Sequence, residues 1–401
     1  MKAENVLHRE SSRAARFNRF MRVRQRWRRV VAPFMLLCAA LALQTLAGVS
    51  PAATEHHYSR GLYPHIARGF AFVNKSVSFS IAEAMMTALL MGLIGLVAWQ
   101  VRQIYLRRAR MKDLLLSTLL SLMWVTGAGM MLFLLLWGLN YQRQLLSENL
   151  HFERREASAS EVEAISRRII SGMNRDYEKS RANRAIAGSD HLPLTRSQLY
   201  QDIEASFQHE ALLIDARGNS SGESFGPPKA IYFSGLISRL GISGIYSPFT
   251  GEANFNAAQP DFDLPFTMAH EMAHGHGFAR EDEANFIAFL VCTKSSHPYV
   301  RYSGYLNSLR ILGALARVAP ERYRAVVATL GDGPRADLKA RTAFWQRYTG
   351  RLSAASHQFN NAYLKANRVR SGVKNYNEAV ALIIGYYLSR EKLADDVDDS
   401  D

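Results

Sequence analysis

The residues best suited to chemistry lie at His270-Glu271-Met272-Ala273-His274. Two histidines at i and i+4 share one face of a helix, so both imidazoles can bind one metal ion. The expected ion is Zn2+, which takes nitrogen and carboxylate ligands in tetrahedral geometry. Glu271 lies beside the first ligand and is placed to take a proton from water as that water attacks a carbonyl. An acidic cluster follows at once, Glu281-Asp282-Glu283-Ala284-Asn285. A carboxylate from this second helix can complete the metal site. Glu281 is favoured, and Asn285, four residues on, shares its face and can orient a ligand histidine. Glu283 stays open as the alternative, but it lies about 200° round the helix from Glu281, so both cannot face the metal. His276 lies only two residues after His274, on the wrong face. The expected catalytic residue is therefore Glu271, with His270, His274 and Glu281 on the metal. Tyr302, Tyr305 and Arg280 are candidate oxyanion stabilisers by proximity in sequence alone.

These residues need a helix that starts near Pro265 and stops at Gly275 or Gly277, so that the chain can turn back with its third ligand. Upstream, short β-like pieces fall at 230–233, 243–246 and 252–256, with a turn at 248–251. The stretch 242–256 can supply either an edge strand beside a cleft, where extended peptides add as a further strand, or an ordinary core hairpin. Helices are expected at 160–186, begun by a Ser160/Glu163 capping box, and at 195–209. Further helices are expected at 265–275, 281–294, 299–317, 320–330, 334–367 and 375–391. Residues 216–229 read as a loop. The fold class is α+β: a small sheet followed by helices.

Composition locates this domain. The chain has 401 residues and a formal charge of +14. Residues 1–139 hold 18 Lys+Arg and 5 Asp+Glu, while the remainder holds 31 and 30, so the basic excess belongs to the N-terminal third. Three apolar stretches occur there, at about 32–49, 81–99 and 114–138. Each is near or above the roughly 18–20 residues that span a bilayer as a helix. Ten Lys+Arg precede the first stretch, three occupy the loop after it, and five crowd the loop between the second and third. Basic loops stay cytoplasmic. The expected topology is a multi-pass cell-membrane protein with a cytoplasmic N-terminus, the 50–80 loop outside and residues after about 140 extracytoplasmic. An uncleaved first anchor is expected rather than a cleaved signal peptide, and Arg28-Arg29 is a weak twin-arginine signal. The domains are then a basic segment 1–31, a transmembrane region 32–139, a zincin-like domain 140–391 and a solvated acidic tail 392–401. The charge sits on membrane flanks, so nucleic acid is not an expected partner. Cys38 and Cys292 fall in different domains, which excludes a disulfide framework.

The stretch SGIYSPFTGEANFN…LPFTMAHEMAHGHGFAREDEANFIAFL, with WGLNYQR after the third span and RYSGYL downstream, resembles a bacterial family of polytopic membrane proteins, domain-of-unknown-function family 3810. The resemblance implies a zinc-dependent peptidase with no established substrate. The E-x-x-A-N element also resembles the third-ligand helix of gluzincins, which implies Glu281 as ligand and Asn285 behind it. The spacing from His274 is shorter than in thermolysin-like enzymes, which keeps Glu283 in play. A metzincin would need a third histidine at 280, where this chain has Arg280. The expected function is a membrane-anchored metallopeptidase acting on a peptide or protein substrate. The alternative is a non-catalytic membrane sensor or scaffold with a structural metal site.

Overall fold

A computed structural model describes residues 30–108, 110–150, 156–187, 194–214, 226–367, 369 and 378–398. Most of the basic segment 1–31, with the twin-arginine pair, lies outside the described residues, as does most of the 216–229 loop. The chain forms two compact units. The first comprises residues up to Val49 together with Met86–Leu136, and the second comprises Ser50–Met85 together with Trp137 onward.

Three helices are long and apolar enough to cross a membrane: α1 (Val30–Ala47), α4 (Ile81–Tyr105) and α5 (Met111–Leu136). In α4 no residue is buried, as expected of side chains whose solvent is hydrocarbon. Gln100 on α4 donates to Thr118 Oγ1 on α5 at 2.6 Å, a polar contact of the kind that ties membrane helices together.

The second unit is mostly helical with a three-stranded sheet. The segment expected as a simple loop at 50–80 is instead helical. Pro51, suited to a first helical position and capped by Ser50, opens α2 (Pro51–Thr54); a π-helical stretch (Glu55–Leu62) then runs into α3 (Tyr63–Ser76). Tyr63, Ala67, Ala71 and Asn74 form the buried stripe of α3 at helical spacing. Asn74 Nδ2 donates to the carbonyls of Thr250 and Gly251, both at 3.0 Å, locking α3 to the turn between two strands.

The strands are β1 (Lys229–Ile231), β2 (Gly244–Ser247) and β3 (Glu252–Asn256) in the order β1-β3-β2. β3 is buried along its length, pairs parallel with β1 and antiparallel with β2, and leaves β2 as an edge. The remaining helices are α6 (Leu146–Asn149), α7 (Ala159–Ala187), α8 (Arg196–Ile214), α9 (Ser234–Arg239), α10 (Leu264–Gly275), α11 (Glu281–Lys294), α12 (Pro298–Asn307), α13 (Ile311–Val318), α14 (Pro320–Ala328), α15 (Asp332–Gln346), α16 (Arg351–Ala366) and α17 (Glu378–Asp398). α11 is the central helix. Its apolar run Phe286–Cys292 is buried on every side, and α8, α10, α12 and α17 surround it. The core therefore carries the acidic start of α11 straight to the end of α10.

Several boundaries differ from expectation. The cap of α7 is Ser158 with Glu161, not Ser160 with Glu163: Ser158 N donates to Glu161 Oε2 at 2.8 Å, and Glu163 bonds Arg167 instead. The helix expected at 299–317 breaks after Asn307, where Ser308 Oγ donates to the carbonyl of Tyr305 at 2.8 Å and competes with the helical ladder. The helix expected at 334–367 breaks before Gly350, whose N–H takes a new cap from Ser353 at 3.1 Å. The backbone of the acidic end expected as a tail is helical through Asp398.

A buried ion pair pins the π-helical stretch to the site. Arg143 grips Glu55 with two bonds, 2.7 and 2.6 Å, and donates to the Gly277 carbonyl at 3.1 Å. Burial alone would raise Glu55, but the guanidiniums of Arg143 and Arg60 hold its carboxyl below the ordinary 4.5. A folded value below the unfolded one means this stability is present above pH 4.5 and is lost as pH falls through the folded value. Glu55→Gln should lower stability at neutral pH by about 3–5 kcal/mol, because it strands a buried guanidinium. Its melting midpoint in detergent should also fall less on acidification than that of the wild type. Equal acid sensitivity of the two proteins would refute this role.

Candidate metal centre

α10 begins with Pro265 in its first turn and ends in a Schellman motif. Gly277, at φ +84°, donates to the His274 carbonyl at 3.0 Å, and Phe278 donates to Ala273 at 3.2 Å. A side chain at 277 would be strained by that φ, and its Cβ would meet the Tyr63 ring at 3.0 Å. The reversal brings the Phe278 carbonyl to His274 Nδ1 at 2.7 Å. That carbonyl can only accept, so Nδ1 of the neutral ring carries the proton and Nε2 presents its lone pair. Trp137 packs edge-on against the His274 ring and donates to the His274 carbonyl at 3.0 Å.

The chain then starts α11, and Glu281 arrives at the histidine pair. His270 Nε2 lies 3.2 Å from His274 Nε2 and 3.2 Å from Glu281 Oε2, and His274 Nε2 lies 3.9 Å from that oxygen. Atoms each 2.0–2.1 Å from one tetrahedral ion sit roughly 3.3–3.4 Å apart. The donor set therefore fits a single zinc-sized cation. His270 Nδ1 and Glu271 Oε2 are buried without a hydrogen-bond partner among the described residues. Burial pushes Glu271 up to about 8 and His274 down to about 4, while Glu281 and Glu271 outweigh burial and raise His270. Four ionisable groups are thus crowded where water is scarce, an arrangement that a bound cation would relieve.

Glu283 points elsewhere. Fully buried, it accepts from Leu146 N at 2.8 Å, and burial together with Asp282 lifts it to about 7. Asn285 donates to the Glu281 carbonyl at 2.6 Å, bracing the backbone of Glu281 rather than a histidine ring. His276 stacks on Phe207 with ring centres 4.5 Å apart. Of the three oxyanion candidates, Tyr302 donates its hydroxyl to Asp337 at 2.5 Å and the ring of Tyr305 lies against Gly172 on α7. Arg280 faces Asp282 at 3.5 Å and Glu378 at 3.9 Å.

Sequence reasoning missed a second set of groups. Tyr63 donates to the Gly275 carbonyl at 2.7 Å and meets the Tyr246 hydroxyl at 3.2 Å. Tyr363, hydrogen-bonded to Tyr141, feels the charge of Glu281, and Arg310 opposes charge on His270. The WGLNYQR element holds Tyr141, and the SGIYSPFTGEANFN stretch holds Tyr246. The others come from distant helices with no motif around them.

The edge strand lies against Glu271. Ser243 accepts from Asn256 at 2.8 Å, so by antiparallel alternation the main-chain groups of Gly244 and Tyr246 face away from β3. Tyr246 N–H bonds the Glu271 carboxylate. A Cβ on Gly244 would collide with Glu271, reaching Cγ at 2.8 Å and Cδ at 2.9 Å. Gly244→Ala should therefore swing the carboxylate aside at a packing cost of about 1–3 kcal/mol, with His270, His274 and Glu281 left in place. Misplacing a reacting group by about 1 Å costs on the order of 100-fold in rate. A kcat matching the wild type would show that the close approach is incidental.

Residues 58–384 match the family described as Protein of unknown function (DUF3810). The chain belongs to DUF3810. No curated protein and no solved structure matches it. In this DUF3810 chain the matched stretch contains the sheet, the π-helical turn from Tyr58 and the His270, His274 and Glu281 cluster that could hold a metal ion.

Proposed function

We propose that this DUF3810 chain is a membrane-anchored, zinc-dependent peptidase of the gluzincin kind. The observation that carries the reading is a buried, unpartnered carboxylate oxygen on Glu271 between a three-donor cluster of single-ion spacing and the open edge of β2. His270, His274 and Glu281 would hold the ion. Zinc bound there would lower the pKa of a coordinated water to roughly 7 and polarise the scissile carbonyl. Glu271 accepts the water's proton at its free oxygen and returns it to the leaving amine. The Tyr246 N–H fixes the orientation of that carboxylate. The outward main-chain groups left over, the N–H and carbonyl of Gly244 and the carbonyl of Tyr246, hold an extended peptide as an added strand. Tyr363 and Arg310 flank the cluster and are the groups available to steady negative charge developing on the substrate.

Membrane topology supports the same picture. The 50–80 segment and residues after 140, which the charge rule puts on one side of the bilayer, fold together as one unit. The test is cleavage of a quenched-fluorescence peptide library by the full-length protein in lipid nanodiscs. Cleavage should vanish on treatment with a zinc chelator and return with added zinc. Zinc retained with no peptide cleaved would favour the structural-site alternative.

A further inference from the structure

The second unit carries an exposed aromatic belt where α4 begins. Tyr232 is 86% exposed, Phe72 80%, Phe79 62% and Phe233 51%, a concentration of apolar rings that water alone does not favour. Lys75, on α3 with Phe72, is exposed as well. Tyr232 and Phe233 are tied to the start of α4 by hydrogen bonds, and Phe79 lies two residues before that start. The Glu83 carboxylate, on the first turn of α4, accepts from Tyr232 N at 2.8 Å and Phe233 N at 2.7 Å. Glu252 accepts from Ile81 N and Ala82 N at 3.0 and 2.6 Å and is neutralised by buried Lys229 at 2.6 Å. Five buried or bonded contacts thus anchor β1, β3 and the α3–α4 link to the first turn of a helix apolar enough to span a bilayer.

We infer that Phe72, Phe79, Tyr232 and Phe233, with Lys75, form a collar that sits in the lipid headgroup layer and holds the cleft at the bilayer surface, so that the substrates are peptide segments emerging from or tethered to the membrane. If α4 spans, its first turn lies at the interface, and so does everything bonded to that turn. Aromatic rings and lysine are the side chains that settle at this depth. β1 and β2 flank the same strand β3, two strand spacings or about 10 Å apart, which places the peptide edge beside the collar. The turn after β2 exposes Phe249 in the same neighbourhood, fastened to α3 through Asn74. The occupant is lipid because the belt is continuous with a membrane helix. The substrate class rests on the peptidase reading above, while the collar does not.

The experiment uses full-length protein in nanodiscs of zwitterionic and anionic phospholipid. Nitroxide labels are placed at Phe79→Cys and Phe233→Cys in a Cys38→Ser background, with Glu321→Cys on exposed α14 as the aqueous comparison. Collar labels should be relaxed more by oxygen than by a water-soluble nickel chelate, and the comparison label the reverse. Collar labels more accessible to nickel would overturn the inference whatever the enzyme does. A second arm compares one reporter peptide free in solution and anchored by an acyl chain. The anchored form should be cleaved at least tenfold faster, and the paired change Phe79→Asp with Phe233→Asp should remove that advantage without altering the free peptide. Equal loss on both peptides would overturn the assigned substrate class. Lipid-accessible labels with neither peptide cleaved would sustain the collar and sink the peptidase reading.

Discussion

Glu271→Gln should keep the metal and lower peptide cleavage by about 100- to 10,000-fold, the range a positioned general base contributes. The substitution preserves the side-chain volume and leaves an amide where the proton acceptor was. His270, His274 and Glu281 are untouched, so zinc content and the melting midpoint should match the wild type. The buried, unpartnered Oε2 makes the expectation sharp, since that oxygen has no structural bond to lose. A variant that cleaves peptides at the wild-type rate would remove Glu271 from the chemistry. A variant that loses its metal would mean the residue is a ligand rather than a base.

The two acidic residues of α11 should behave oppositely. Glu281→Ala strips the cluster to two imidazoles and should weaken zinc binding by more than about 100-fold, beyond what loss of an outer-sphere partner costs. Stability without metal should change little or improve, because a carboxylate crowded against two buried rings is gone. Glu283→Ala should leave zinc affinity alone and instead destabilise the fold by about 1–3 kcal/mol, since the buried Leu146 N–H loses its acceptor. Zinc titration and melting curves of the two variants, read side by side, decide which carboxylate is the ligand. If Glu283→Ala loses zinc and Glu281→Ala does not, the geometry described for α11 is wrong.

Local chemistry was legible in the sequence. The i, i+4 histidines fixed their own face, and the 3.6-residue period put Glu281 and Glu283 on different faces. The three long apolar helices followed from apolar length, although they end at Ala47, Tyr105 and Leu136 rather than at 49, 99 and 138, and the β2–β3 hairpin followed from its turn residues. What did not show was tertiary partnership. The 50–80 segment reads as a polar loop because its buried stripe is made of Tyr, Ala and Asn, and its π-helical turn leaves no periodic signature. Whether 242–256 was an edge or a core hairpin depended on where β1 paired, which no local pattern states. α11 read as amphipathic from its acidic start, yet it is central, because the four helices around it rather than its own periodicity decide its burial. Tyr363, on α16, and Arg310, in the turn before α13, act on the cluster from more than 90 and 40 residues downstream of His270. Tyr302 and Tyr305, chosen for nearness in sequence, spend themselves on α7 and α15 instead.

Zinc content of the full-length protein purified in detergent, measured beside His270→Ala at matched folding, bears most directly on the account. Stoichiometric zinc in the wild type, with two imidazoles and a carboxylate in its coordination sphere by X-ray absorption and none retained by the variant, is the predicted result. A wild-type protein that binds no metal, or a variant that holds it equally well, would contradict it.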